Sequence, residues 1–161
     1  MGEHLHLHPA VKLPMRRTAL SGLMMLVAVA LFMCGMALPV QAGSVVAKVD
    51  LSRQRMVVKV NGVTRYSWPV STARRGYVTP TGTYRPQRMY QEYYSRKYNN
   101  SPMPHAIFFR GGYAIHGSYA THRLGSRASH GCIRLSPRNA ARLYSLVRTH
   151  GPGNTIIRIT H

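Results

Sequence analysis

Beyond residue 42 the chain alternates apolar and polar positions in short stretches, and a helical period occurs once. Residues 45–50, Val-Val-Ala-Lys-Val-Asp, are β-branched with partial alternation and predict a strand. Polar Ser52-Arg53-Gln54 predicts a turn, and residues 56–60, Met-Val-Val-Lys-Val, a second strand. Asn61-Gly62 then predicts a hairpin, because both residues tolerate the positive φ of a type I′ turn. Residues 63–70 return as a third strand, with Trp68 as core anchor. Pro69 donates no ladder hydrogen bond, so this strand lies at an edge or ends there. Pro80 and Gly82 mark a tight turn before a short strand. Residues 106–109 form an apolar strand that Gly111-Gly112 turns, and Tyr113-Ala114-Ile115 leads back to His116 at a strand end. Ser136 fits a helix N-cap and Pro137 the first helical position. Ala140, Leu143, Tyr144 and Val147 then fall on one helical face. Gly151-Pro152-Gly153 breaks the chain before a last strand at 155–159. Residues 85–104 show no periodicity and carry Tyr90, Tyr93, Tyr94 and Tyr98 among basic residues. A connection of that length is a functional lid or lacks fixed structure. The pattern describes a mainly β fold, a small β-sandwich with one helix, as a single domain over residues 43–161 without internal repeat.

Residues 1–42 read differently. Lys12, Arg16 and Arg17 precede an apolar run over 19–38, and Val40-Gln41-Ala42 supplies the small residues of a signal-peptidase site. Cleavage after Ala42 is expected. The alternative is a retained anchor, since twenty residues could span a bilayer. Gly22, Gly35, Pro39 and the cleavage site favour removal. Met15 is a second candidate start.

Charge narrows the partners. The chain holds 22 Lys+Arg against 3 Asp+Glu, which favours anionic partners such as nucleic acid, acidic lipid or acidic polysaccharide. Nucleic-acid binding finds no motif and conflicts with export. Removal of residues 1–42 would also remove Cys34 and leave Cys132 alone. A lone thiol in a compartment where cysteines pair has nothing to staple, so a reactive role is expected.

The chemistry concentrates in two pieces, His116-Gly117-Ser118 and Ser129-His130-Gly131-Cys132-Ile133-Arg134. A thiol becomes an effective nucleophile when an imidazole removes its proton. Cys132 is the candidate nucleophile and His116 the candidate base. Gly131 and Cys132 can offer backbone N–H groups to an oxyanion. His130 could shape that pocket, contact substrate or simply pack. Arg134 could bind a substrate carboxylate through its planar fork, and Ser129 reads as a local hydrogen-bonder that also borders the substrate. Asp50 and Glu92 are the only carboxylates after residue 42 and sit beside no motif, so an aspartate-oriented triad is not expected. Zinc could be held by His116, His130 and Cys132, but the paired spacing of a zinc site is missing. No metal and no cofactor are expected.

Ser-His-Gly-Cys-Ile-Arg, preceded by Ala114-Ile115-His116-Gly117 and by Thr79-Pro80-Thr81-Gly82-Thr83-Tyr84, resembles the signature of the L,D-transpeptidase catalytic domain of the YkuD type. The resemblance covers roughly residues 45–148. It implies a β-sandwich with its helix packed near the cysteine. It also implies a histidine base at His116 oriented by a backbone carbonyl, the position that Gly117 occupies. Thr79 to Tyr84 would help build the cleft wall, and residues 85–104 a flap over the substrate groove, with Tyr94 touching the substrate. The implied reaction is two-step acyl transfer on peptidoglycan stem peptides, with release of D-alanine and formation of an L,D cross-link. Anionic cell-wall polymers would be further partners, and the membrane one only during export. A monomer in the periplasm or cell wall is expected. Hydrolysis of the same bonds, attachment of a protein to the wall, and a non-catalytic wall-binding module are the alternatives.

Overall fold

The computed structural model describes residues 43–161, so the proposed leader lies outside the described residues. Strands β1 (Val45–Asp50), β2 (Arg55–Val60) and β3 (Val63–Pro69) form an antiparallel meander. Asn61 and Gly62 turn β2 into β3 with φ of 52° and 78°. The last strand, β11 (Thr155–Thr160), runs parallel to β1, and the short β4 (Gly82–Tyr84) pairs with its other side. The resulting five-stranded sheet has the order β3-β2-β1-β11-β4, with Pro69 on the edge strand.

A second sheet, of order β10-β9-β8-β5, bears His116. Its strands are β5 (Arg88–Tyr90), β8 (Ala106–Arg110), β9 (Tyr113–Gly117) and β10 (Ile133–Leu135). The period of two divides its side chains between two environments. Ile107, Phe109, Ile115, Ile133 and Leu135 enter the main core with Val45, Val49, Met56, Trp68 and Ile159 of the first sheet. Each large aliphatic chain buried there contributes about 1.5–3 kcal/mol relative to exposure. Ala106, Phe108 and Ala114 lie on the opposite face and form a small separate cluster with Met103, against which Tyr93 and Cys132 pack.

Helix α1 (Pro137–His150) starts two residues after β10. Ser136 Oγ accepts from the Asn139 N–H at 3.3 Å, and Pro137 occupies the first turn. Ala140, Leu143 and Val147 seal the core, and the helix packs on β9, the strand that bears His116.

Residues 85–104, expected as a functional lid or a segment without fixed structure, hold short pieces of regular structure. They contain β5, the two-residue pair β6 (Tyr94–Ser95) and β7 (Ser101–Pro102), and a 3₁₀ turn at Arg96–Tyr98. Each piece is too short to leave a period in the sequence, and β5 exists because it pairs with β8.

Candidate active site

Strands β9 and β10 are parallel, with Arg134 in register with His116. Side chains two apart on a strand share a face, so Cys132, Arg134 and His116 project from the same face of the sheet. All three line one cavity of about 310 Å³. Cys132 also borders a second hollow of about 320 Å³, whose cationic side is Arg88, Arg96 and Lys97. Ser95, Tyr98 and Met103 line both.

His116 is 6% exposed. Its Nδ1 lies 2.7 Å from the carbonyl oxygen of Gly117. A carbonyl only accepts, so Nδ1 carries the proton and Nε2 keeps a free lone pair. Burial lowers the imidazole pKa to about 4, opposed by the Gly117 bond and aided by the Arg134 charge. His116 is therefore neutral at pH 7. Gly117 has room for no side chain: a Cβ would stand 2.9 Å from Pro104 Cγ and 3.1 Å from Pro137 Cα. Its N–H donates to Pro104 O at 2.8 Å. Asp50 serves the turn after β1, accepting from the Ser52 and Arg53 N–H groups at 2.9 Å.

Cys132 is a free, partly exposed thiol. Burial pushes its pKa up, while hydrogen bonding from the Ala114 backbone and the Arg134 charge pull it down. At rest the cavity is thus lined by a neutral thiol and a neutral imidazole.

The loop before Cys132 is held from behind. Ser129, fully buried, donates its hydroxyl to Cys132 O at 2.6 Å and accepts the Gly131 N–H at 3.0 Å. The Gly131 commitment departs from the expected oxyanion role of its N–H, whereas the Ser129 bonds are the local hydrogen bonding expected of it. Gly131 has no N–H to give an oxyanion, and the Ser129 hydroxyl is a bracket within the loop, although its residue borders the cavity. The Cys132 N–H is the remaining backbone candidate. Thr79 donates to Gly131 O at 2.9 Å and accepts from the Ala73 N–H at 3.0 Å. Thr72 O accepts from the Ala128 and Ser129 N–H groups at 2.9 Å each. Buried Gln54 ties Thr72 to the first sheet: its Oε1 accepts the Thr72 N–H at 2.9 Å, and its Nε2 donates to Thr72 Oγ1 at 2.6 Å.

The front of the cavity is aromatic. His130 stacks on Tyr98 at a centroid distance of 4.6 Å and 12°, and meets Tyr77 edge-on at 4.6 Å. Arg74 donates to His130 Nε2 at 2.7 Å, which places the ring proton on Nδ1. Partial burial and the charges of Arg74, Arg134 and Lys97 lower the His130 pKa. His130 is thus a packed element of the rim. Tyr94 lies outside the cavity, bordering another hollow with Glu92, His105 and Tyr119. Tyr98 takes the place expected of it, and four tyrosines in one polar stretch carry no signal that singles it out. Arg134 is half-buried in the wall, with one long bond of 3.4 Å to Ala128 O. Among the described residues no three His, Cys, Asp or Glu side chains gather as metal ligands do.

The family model for the L,D-transpeptidase catalytic domain of the YkuD type matches residues 44–159. The chain belongs to that family. Solved L,D-transpeptidases share its fold. One from Mycobacterium smegmatis is 25% identical with a TM-score of 0.65, covering 74% of this chain and 59% of its own. One from Mycobacterium tuberculosis, in complex with imipenem, is 20% identical with a TM-score of 0.63, covering 73% and 59%. One from Xylanimonas cellulosilytica is 23% identical with a TM-score of 0.61, covering 83% and 68%. The chain spans about three fifths of the length of the first two. No curated protein matches. L,D-transpeptidase catalytic domains are thus mainly β, as this chain is, and the motifs quoted from its sequence lie within the matched span.

Proposed function

We propose that this L,D-transpeptidase domain is an exported cysteine acyltransferase that cross-links peptidoglycan through a thioester on Cys132. The observation that carries the reading is the shared cavity of Cys132 and His116, with Nε2 of His116 left free by the Gly117 bond. The thiol proton passes to Nε2 as sulfur bonds to the carbonyl carbon between the third and fourth residues of a stem tetrapeptide. The carbonyl electron pair moves to oxygen, where the Cys132 N–H donates to it. Collapse of this intermediate breaks the C–N bond, and His116 returns the proton to the departing D-alanine amine. A thioester remains. An amine of a second stem attacks the thioester carbon, loses its proton to His116 and releases the thiol.

The two hollows that meet at Cys132 give donor and acceptor separate approaches to the sulfur. Arg134 holds a donor carboxylate, for which its planar fork suits. The basic surface suits anionic cell-wall polymers. The basic, apolar and small-residue order of residues 1–42 supports export to the periplasm or wall. A mature N-terminus at Gly43 by intact mass tests export; retention of residues 19–38 would instead indicate an anchor. Acylation is tested with imipenem. Wild type should gain the mass of the opened β-lactam on the peptide containing Cys132, and Cys132→Ala should gain nothing. Equal labelling of the two proteins would refute the mechanism.

A further inference from the structure

We infer that Thr79 is a positioning residue: its hydroxyl fixes the Gly131–Cys132 peptide so that the Cys132 N–H faces the developing oxyanion. The inference rests on the acyl-transfer reading above. Thr79 is 4% exposed, and its Oγ1 accepts the Ala73 N–H at 3.0 Å. A hydroxyl has one proton and a carbonyl has none to give, so that proton goes to Gly131 O, 2.9 Å away. The Gly131 C=O and the Cys132 N–H belong to one planar unit and point in opposite directions when the peptide is trans. The described residues contain no cis peptide. Holding the oxygen on the Thr79 side therefore sends the N–H to the other side. Thr79 borders a hollow with Leu51, Thr72 and Tyr77, whereas Cys132 borders the cavity of His116. A bonded carbonyl also polarises the N–H of its own amide and strengthens it as a donor.

The loop is built for this contact. Gly131 has a φ of +126°, and a Cβ on it would lie 2.8 Å from the Val78 carbonyl oxygen and 2.6 Å from the Tyr113 ring. Only glycine lets residues 78 and 79 lie against it. The neighbouring amide cannot substitute, because the Gly131 N–H is bonded to Ser129 Oγ.

Two reactions of the same thiol separate oxyanion support from thiol placement. Iodoacetamide is displaced at a saturated carbon and forms no oxyanion, whereas imipenem acylates through one. Both rates are read by intact mass at pH 7 in wild type, Thr79→Val and Thr79→Ser, each checked for folding by thermal melting. Thr79→Val should acylate about tenfold or more slowly, given the usual cost of losing an oxyanion donor, and alkylate at the wild-type rate. Thr79→Ser, which keeps the hydroxyl, should match wild type in both reactions. The assignment is overturned if Thr79→Val acylates normally, or if both reactions slow together. It is equally overturned if Thr79→Ser loses acylation while still alkylating, a result that decides the matter even if the valine variant does not fold. A wild type that alkylates but takes no imipenem would overturn the acyl-transfer reading itself, and this assignment with it.

Discussion

The wall behind Cys132 and the rim in front of it are held by different forces. Behind it, Ser129, Thr79, Thr72 and Gln54 are buried, and their hydrogen bonds pass from the first sheet to the loop before Cys132. Leaving one such buried group without its partner costs about 1–3 kcal/mol, so the wall has essentially one arrangement. In front, His130, Tyr77, Tyr98 and Arg74 are held by stacking and a single side-chain bond at the surface. Aromatic pairs of this kind are worth about 0.5–1.5 kcal/mol, a barrier that a binding substrate can overcome. The wall is thus fixed by buried hydrogen bonds and the rim by surface stacking.

Disturbing the reacting pair should have the largest effect. His116→Ala leaves the thiol without its base and should slow imipenem acylation on the order of a hundredfold or more. In wild type the acid limb of acylation should fall near pH 4, since burial lowers His116 to about that value. An acid limb at the ordinary histidine pKa of about 6.5 would contradict the buried, neutral base.

The wall comes next. Ser129→Ala removes both bonds of the loop bracket, and should lower stability by about 1–3 kcal/mol and slow acylation on the order of tenfold. Denaturant melts and acylation rates both check it. A variant unchanged in both would show that the bracket does not hold the loop.

Stability should also depend on His116 in one pH window. The unfolded imidazole binds a proton below about pH 6.5, whereas the folded one does so only near 4. The unfolded state therefore holds more protons between these values, and stability is lost as pH falls through them. The loss is on the order of 3 kcal/mol across the window. Urea melts of wild type and His116→Gln should differ in slope there, and parallel curves would contradict the assignment.

The rim should give the smallest effect. Tyr98→Ala opens the stack on His130 and should raise the donor KM a few-fold while leaving kcat and the melting temperature unchanged. A large fall in kcat would instead place Tyr98 with the wall.

The same contrast separates what the sequence reveals from what it does not. The hairpin at Asn61-Gly62 and the helix after Ser136-Pro137 are legible because each is dictated by the residues that form it. So is the pairing of a histidine with Gly117 and a cysteine with Gly131, since only glycine fits either place. The wall is not legible. Gln54 reads as a turn residue, and nothing local shows that its amide reaches Thr72 eighteen positions on. The commitment of the Gly131 N–H depends on where Ser129 points, which the parallel bridge between Ala73 and Ser129 helps to set. Strands β5 to β7 escape notice because pairing partners, not periodicity, create them.

The most direct measurement of the central claim uses the proposed donor itself. The purified protein is incubated with a peptidoglycan stem tetrapeptide, with and without an acceptor amine, and followed by mass spectrometry. Without acceptor, the account predicts D-alanine release and a tripeptide thioester on the peptide containing Cys132. With acceptor, it predicts loss of that adduct and appearance of the cross-linked product. Cross-linking by Cys132→Ala at a rate comparable to wild type would contradict it.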